Sequence, residues 1–247
     1  MTHIQIKPEL GHRHPLSGIV REMREIFREM GFVFAEGPEV ETEVNNFDRL
    51  NVPKDHPSRD MQDTFWFKDE DVPEPTVLRT HTSAVQIRFM ENNKPPFRMI
   101  CSGKVFRNEA TDATHEAQFY QLEGLVVGED VNLAHLKGLL EKFFLSFFGD
   151  SVEMRLRPSY FPFVEPGLEV DMRINSDKIS KSLRGRWIEA LGAGMVHPNV
   201  LRDSGIDPEK YSGFAFGIGI DRMAVMKYGI DDIRHLYSGD LRLVNQF

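Results

Sequence analysis

Residues 118–124, Gln-Phe-Tyr-Gln-Leu-Glu-Gly, run on into Leu125-Val126-Val127, and this stretch decides the fold class. Side chains of a strand alternate between two faces. Phe119, Gln121 and Glu123 therefore point one way, and Tyr120 and Leu122 the other. Upstream, Phe97 to Phe106 reads as a second strand, separated from Ala117 to Val127 by a polar loop. Two long strands joined in this hairpin-like way make an antiparallel sheet. Strands dominate the centre of the chain and helices its ends, so the class is α+β, an antiparallel sheet flanked by helices, rather than a doubly wound one.

Working outward, Leu16, Ile19, Val20, Met23, Ile26, Phe27 and Met30 recur at helical spacing, with Pro15 at the start and Gly31 at the stop. Phe32-Val33-Phe34 reads as a short strand closed by Gly37-Pro38. Asn45 to Arg59 reads as loop, punctuated by Pro53 and Pro57. Thr82 to Met90 is a short helix. Leu133 to Phe148 is a strong one, with Leu136, Leu139, Leu140, Phe143, Phe144 and Phe147 on its core face. Further strands are expected near Met154–Leu156, Leu168–Ile174 and Trp187–Ala190, then a strand at Gly213–Phe216 and a helix from Ile220 to Lys227. No repeat, low-complexity tract or Gly/Ser linker divides the chain.

The 247 residues, 40% hydrophobic, suffice for one large core. Acidic residues number 38 against 30 basic, a formal net charge of -8. A generic nucleic-acid coater is basic, so a nucleic acid would need a local patch. The run Arg79, Arg88, Lys94, Arg98, Lys104 and Arg107 is one candidate, an ordinary solvated face the alternative. The single cysteine, Cys101, lies in an apolar run and reads as a small buried hydrophobe. It allows no internal disulfide, which suits a reducing compartment. Residues 1–10 are polar, and no apolar run approaches the ~20 residues of a membrane span. A soluble, cytoplasmic protein is expected.

Chemistry concentrates on one sheet face. Arg107 and Glu109 share a side just past the first long strand, and Gln121 and Glu123 face the same way on the second. That set is too polar for a core and suits a small charged ligand; cross-strand ion pairs on a solvated sheet are the alternative. Arg222, in Gly217-Ile218-Gly219-Ile220-Asp221-Arg222, is a second arginine at a strand edge. Two such arginines can grip a triphosphate without a Walker loop, which makes a nucleotide-activating enzyme the first hypothesis. Phe161, Phe163 and Glu165 form another alternating set, able to wall an apolar pocket or to pack as ordinary core. Pro162 and Pro166 place it at an edge or bend. Thr80-His81-Thr82-Ser83 opens a helix, whose free N–H groups suit a carboxylate or phosphate. Lys178-Ile179-Ser180-Lys181-Ser182 mimics a class I synthetase loop but lacks the Rossmann context, and reads as a charged hairpin tip. Gly11-His12-Arg13-His14 lacks a third metal ligand and reads as a polar helix entry. Gly217-x-Gly219 lacks the third glycine of a dinucleotide fingerprint.

Taken together, these segments resemble the class II aminoacyl-tRNA synthetases, most closely the alpha subunits of the bacterial phenylalanine-specific enzymes. The likeness runs from about His14 to Phe247. The first helix and strand with Pro38 look like the family's first motif, Val105–Glu109 through Glu123 like its second, and Gly217–Arg222 like its third. In that third motif Asp221 replaces the commoner glutamate. Thr80–Ser83, Asp112-Ala113-Thr114-His115, Phe161-Pro162-Phe163, Gly194–Pro198 and Gly213–Gly217 read as further signatures.

The resemblance implies roles. Arg107 and Arg222 would be the catalytic residues, holding the α-phosphate and the outer phosphates of ATP. Phe119 would stack on adenine, Glu109 would accept from its amino group, and His115 would lie near the phosphates. His81, Ser83, Gln121 and Glu123 would bind the ammonium and carboxylate of phenylalanine, with Trp66 and Gly217 beside them. Phe161 and Phe163 would contact the phenyl ring, and Ala215 would set the pocket's depth. Glu165 would be a Mg2+ ligand. Activation by ATP and transfer to the acceptor end of tRNA(Phe) follow, with no covalent nucleophile. The implied partner is a beta subunit, or a second copy docked through the first-motif surface. The family's N-terminal helical hairpin is absent from these residues, so a single catalytic domain over 1–247 is expected. A non-catalytic amino-acid or adenylate-binding paralogue is the alternative, and a different amino-acid substrate a third reading.

Overall fold

The computed structural model describes residues 11–60, 63–68, 74–113, 115–149, 152–175 and 184–247. In chain order the elements are α1 (Pro15–Glu29), β1 (Val33–Ala35), β2 (Val40–Thr42), α2 (Glu43–Asn46), β3 (Thr76–Leu78), α3 (Ser83–Asn92), β4 (Phe97–Phe106) and β5 (Gln118–Gly128). Then come α4 (Leu133–Phe148), β6 (Val152–Phe161), β7 (Val164–Ile174), β8 (Ile188–Val196), α5 (Pro198–Asp203), β9 (Ser212–Gly219), α6 (Ile220–Tyr228) and α7 (Leu241–Val244). One sheet of 7 strands has the order β1-β4-β5-β9-β8-β7-β6. Only β1 runs parallel to its neighbour, β4; the other pairings are antiparallel. β2 and β3 form a separate ribbon. The α+β expectation holds.

Alternation divides the residues of β5 and β9 between two cores. Leu122 and Val126 of β5, with Phe214, Phe216 and Ile218 of β9, join the core beneath α1, α4 and α6. Phe27 of α1 stacks at 4.8 Å on Phe143 of α4 and at 5.3 Å on Phe216 of the sheet, tying both helices to it. Gly124 is required here, because a Cβ on it would lie 2.2 Å from the Phe216 ring. On the opposite face Met99, Cys101, Leu125 and Val127 make a second core with Val85, Ile87 and Met90 of α3. Cys101 is buried, and burial pushes its thiol upward, as befits an inert packing residue.

The helix ends are chemically legible. His14 caps α1 by accepting the Leu16 N–H, and its other ring nitrogen lies 2.9 Å from the Leu236 carbonyl oxygen, while the His12 ring lies 2.9 Å from the Phe247 carbonyl oxygen. Asn132 caps α4 by accepting the Ala134 and His135 N–H groups at 3.0 and 3.3 Å. Asn132→Ala is expected to cost about 1 kcal/mol in urea unfolding with an unchanged m-value.

Two expectations are corrected. Asn45–Arg59 is not open loop: it holds the second half of α2, a helix capped by Thr42, and 3-10 turns at Asp48–Leu50 and Pro57–Arg59. The buried Arg59 organises it by donating to Glu43 at 2.8 Å and Asp48 at 2.7 Å. Phe161 and Phe163 are not alternate residues of one strand. Pro162 and Phe163 are the turn between β6 and β7, and the two rings stack across it at 5.9 Å. Half of the basic run is engaged within the fold: Arg79 is buried on the Lys104, Gly37 and Pro38 carbonyls, Arg88 pairs with Glu41, and Arg98 donates to the Met30 carbonyl. The segment Lys178–Ser182 lies outside the described residues.

Candidate active site

Register builds the floor of a cavity. Glu123 of β5 pairs with Gly217 of β9, which pairs with Gly192 of β8; one step along, Leu125, Ala215 and Gly194 repeat the pattern. Small residues in the middle of the sheet leave a hollow of about 520 Å³ on the face away from α1. A Cβ on Gly217 would fall 2.9 Å from the Gln121 side-chain amide and 3.3 Å from Glu123. The start of α3 with His81, Ser83 and Gln86 forms one wall, and the Phe161–Phe163 hairpin with Val164 the opposite one. Arg107, Glu109 and Gln121 line the same space.

One end of the hollow is polar by construction. Glu123 is buried, and its carboxylate accepts the Thr82 N–H at 3.1 Å and the Gln86 amide at 2.6 Å, with a further bond from Ser83. The anion expected at the start of α3 is therefore the protein's own, delivered from β5. Burial raises the Glu123 carboxyl above the usual range, against those bonds. His81 is pushed down to about 3 by burial and by the Arg107 charge, so it is neutral at physiological pH. Its Nδ1 is buried without a partner, as are the Oε1 of Gln121 and the Oγ1 of Thr82. Buried polar atoms left unpaired are costly unless something completes them. Two of these three, in His81 and Gln121, belong to side chains that line the hollow.

Arg107 follows the end of β4. Its N–H bonds the Ala117 carbonyl at 2.9 Å, its Nε reaches the Thr80 carbonyl at 3.3 Å, and its guanidinium lies 4.9 Å over the Phe119 ring. Arg222, in the first turn of α6, donates to the Glu189 carbonyl at 3.0 Å and lies 3.8 Å from the Glu189 carboxylate. Glu189 lines the hollow, so Arg222 borders it from outside.

Ten of the residues singled out by sequence therefore line one space: His81, Ser83, Arg107, Glu109, Gln121, Glu123, Phe161, Phe163, Ala215 and Gly217. Phe119 and Arg222 adjoin it. Trp66 is one layer removed, stacked at 6.2 Å on the lining residue Phe47 with its indole N–H on the Arg59 carbonyl. His115 sits with Asp112 in the β4–β5 loop. Glu165 is exposed and lies 3.4 Å from the His197 ring. Among the described residues no group of three or more His, Cys, Asp or Glu side chains could hold a metal ion. Sequence reading missed Gln86, Gly192, Glu189 and Phe47. Gln86 was within reach, since it stands one helical turn after Ser83.

Asp221 lies just behind the site. It is buried, accepts the Tyr120 N–H at 2.7 Å and the Tyr237 hydroxyl, and burial raises it to about 6. A raised acid favours the folded state most when protonated. Its stabilising contribution is complete below about pH 4 and is lost as pH rises through 6, about 3 kcal/mol in all. Comparing the wild type with Asp221→Asn by urea unfolding at pH 4 and 7.5 should show the difference between them moving by that order; a pH-independent difference would contradict it.

A second, larger groove of about 860 Å³ lies on the other side of the sheet edge, between α1 and β1, β4 and β5. Arg21, Arg24, Arg28 and Lys104 line it, against a single acidic residue, Glu25. None of the candidate site residues opens into it.

The family described as "tRNA synthetases class II core domain (F)" matches residues 2–247. A phenylalanine–tRNA ligase alpha subunit from Clostridium kluyveri is 52% identical over 245 residues, spanning 98% of this chain and 71% of that protein. The alpha subunit from Clostridium perfringens is 54% identical over 244 residues, spanning 98% and 70%. The solved structure of pyrrolysyl-tRNA synthetase from Desulfitobacterium hafniense superposes with a TM-score of 0.69 at 17% identity, covering 93% of this chain and 75% of that one, a likeness of fold.

Proposed function

The chain belongs to the class II aminoacyl-tRNA synthetases, and from that premise we propose that it is the catalytic alpha subunit of a phenylalanine–tRNA ligase working in the hollow described above. One observation carries the reading: a single cavity joins a buried carboxylate at one end to a benzyl-lined wall at the other, with Arg107 opening between them. An α-amino acid with an aromatic side chain has that polarity. Its ammonium is matched by Glu123 and by the unpaired acceptors on His81 and Gln121. Its ring fits against Phe161 and Phe163, over the small Ala215.

The proposed chemistry needs no protein nucleophile. A carboxylate oxygen of phenylalanine attacks the α-phosphorus of ATP, the bond to the bridging oxygen breaks in line, and pyrophosphate leaves with the electron pair. In the second step a terminal ribose hydroxyl of tRNA(Phe) attacks the acyl carbon and AMP departs. Arg107 spreads its forked donors over the phosphate where charge builds, and Arg222 meets the outer phosphates. Glu123 and His81 hold the amino acid so that the attacking oxygen is aimed, which is positioning rather than proton transfer. Phe119 offers its ring to adenine and Glu109 its carboxylate to the exocyclic amine. Mg2+ would arrive with ATP; Glu165 is the proposed protein contact, and it lacks a cluster of its own, so no step is routed through it.

The basic groove is the proposed docking face of a beta subunit. Two copies of this chain facing each other there would oppose like charges, which disfavours self-pairing. Among the described residues no helix is long and apolar enough to cross a membrane, in keeping with work in the cytoplasm.

Amino-acid-dependent ATP–pyrophosphate exchange tests the reading. With a panel of the standard amino acids, phenylalanine should support exchange at least tenfold faster than any other. Equal or absent stimulation by phenylalanine, with and without beta subunit, would reject the assignment.

A further inference from the structure

We propose that Asp221 and Tyr237 form a clasp that positions Phe119 and Arg222, the two side chains offered to the nucleotide, relative to one another. The proposal rests on the function assigned above. The β5–β9 ladder ends at the pair Gln121↔Gly219, where β9 turns into α6. Beyond that pair Tyr120 has no β9 residue to bond. Its N–H is taken instead by the Asp221 carboxylate, at 2.7 Å. Tyr120 stands between Phe119 and Gln121, and Asp221 stands immediately before Arg222. One hydrogen bond thus fixes the spacing between strand and helix at the two residues that flank the nucleotide end of the site.

The second carboxylate oxygen accepts the Tyr237 hydroxyl. Tyr237 follows the 3-10 turn Ile233–Leu236, and that turn is bonded in two further directions. The Ile233 N–H reaches the Ala113 carbonyl of the β4–β5 loop at 3.1 Å. The Leu236 carbonyl oxygen lies 2.9 Å from the His14 ring at the start of α1. Tyr237 and Tyr120 both line the basic groove. The tyrosine therefore connects the groove, the loop carrying His115 and the helix carrying Arg222, through a buried acid that is not among the residues lining the hollow. Asp221 and Tyr237 are positioning residues.

The test is Tyr237→Phe, which removes one hydroxyl and keeps the ring, examined by exchange kinetics in the subunit complex. Loss of one buried hydrogen bond is worth about a fivefold change in an equilibrium. KM for ATP should rise by about that factor while KM for phenylalanine stays within about twofold. Asp221→Ala should raise KM for ATP further, and Asp221→Glu should restore most of it, because a longer carboxylate keeps both bonds within reach. A purely structural role would lower the melting temperature and either leave both KM values alone or raise them together; each of those results overturns the proposal. Calorimetric titration of ATP alone into wild type and Tyr237→Phe separates this inference from the functional one. Weaker ATP binding by the variant supports the clasp even if phenylalanine proves to be the wrong amino acid, and equal binding refutes the clasp even if it is the right one.

Discussion

Arg107→Ala is expected to lower the turnover of phenylalanine-dependent ATP–pyrophosphate exchange by about 10²–10³-fold, the effect of removing one preorganised donor from a developing oxyanion. The reason lies in how the side chain is held. Its Nε is engaged by the Thr80 carbonyl at 3.3 Å, and its plane lies 4.9 Å over the Phe119 ring. Those contacts hold the guanidinium of a side chain that lines the cavity. A donor oriented before the reaction costs nothing to reorganise when charge builds on the α-phosphate. Lysine at this position keeps the charge but not the fork or the stacked plane, so Arg107→Lys should recover only a small part of the loss. Arg107 is exposed, and both variants should unfold within about 0.5 kcal/mol of the wild type. A loss of activity that tracked a loss of stability would count against a catalytic role.

Glu123→Gln is the second large effect. The carboxylate is buried among the Thr82 N–H, the Gln86 amide and Ser83, and it is the negative charge proposed to face the substrate ammonium. Glutamine keeps the shape and one acceptor but removes the charge. Removing one partner of a buried, hydrogen-bonded charge pair typically costs about 2–5 kcal/mol. KM for phenylalanine should therefore rise by about 10²-fold or more, with a much smaller change in KM for ATP. The wild type should show a related pH effect. Burial raises the Glu123 carboxyl, so phenylalanine binding should weaken as the solution is acidified and this group is neutralised. Glu123→Gln should lack that dependence. Exchange kinetics at several pH values, saturating in ATP, read both.

These effects could be framed because the central strand was legible. Gln121 and Glu123 alternate with Leu122 and Gly124, and that period alone assigned the polar residues to one face. α4 was equally plain from the helical spacing of Leu136, Leu140, Phe143, Phe144 and Phe147; Asn132 caps it and Gly149, at φ +82, ends it. The Phe161–Phe163 hairpin was misread for a physical reason. Phe161 ends β6 and Phe163 is the second residue of the turn, and two aromatics at i and i+2 show the period of a strand whether or not the chain reverses between them. β8 was read short because Gly192 and Gly194 interrupt its apolar run. They are glycines because Phe161 packs on one, at 3.1 Å from a notional Cβ, and Val164 on the other, at 2.7 Å.

Other features lay beyond any local pattern. The helix start at Thr82 advertised an anion site, but the anion is Glu123, 41 residues away. Arg59 reads as a loop cation and is instead the buried centre of the Glu43–Asp48 turn. Asp221 meets Tyr120 across 101 residues and Tyr237 across 16. Spacing along the chain identifies which residues carry chemistry; only the register of the sheet decides which of them meet.

The most direct measurement is a crystal structure of the chain, with its beta subunit, bound to a non-hydrolysable phenylalanyl-adenylate analogue. The benzyl ring should lie against Phe161 and Phe163 over Ala215, with the ammonium at Glu123, the phosphate surrogate on Arg107 and the adenine on the Phe119 ring. An analogue bound in the basic groove, or one whose ring and ammonium occupy the opposite ends of the hollow, would contradict the assignment.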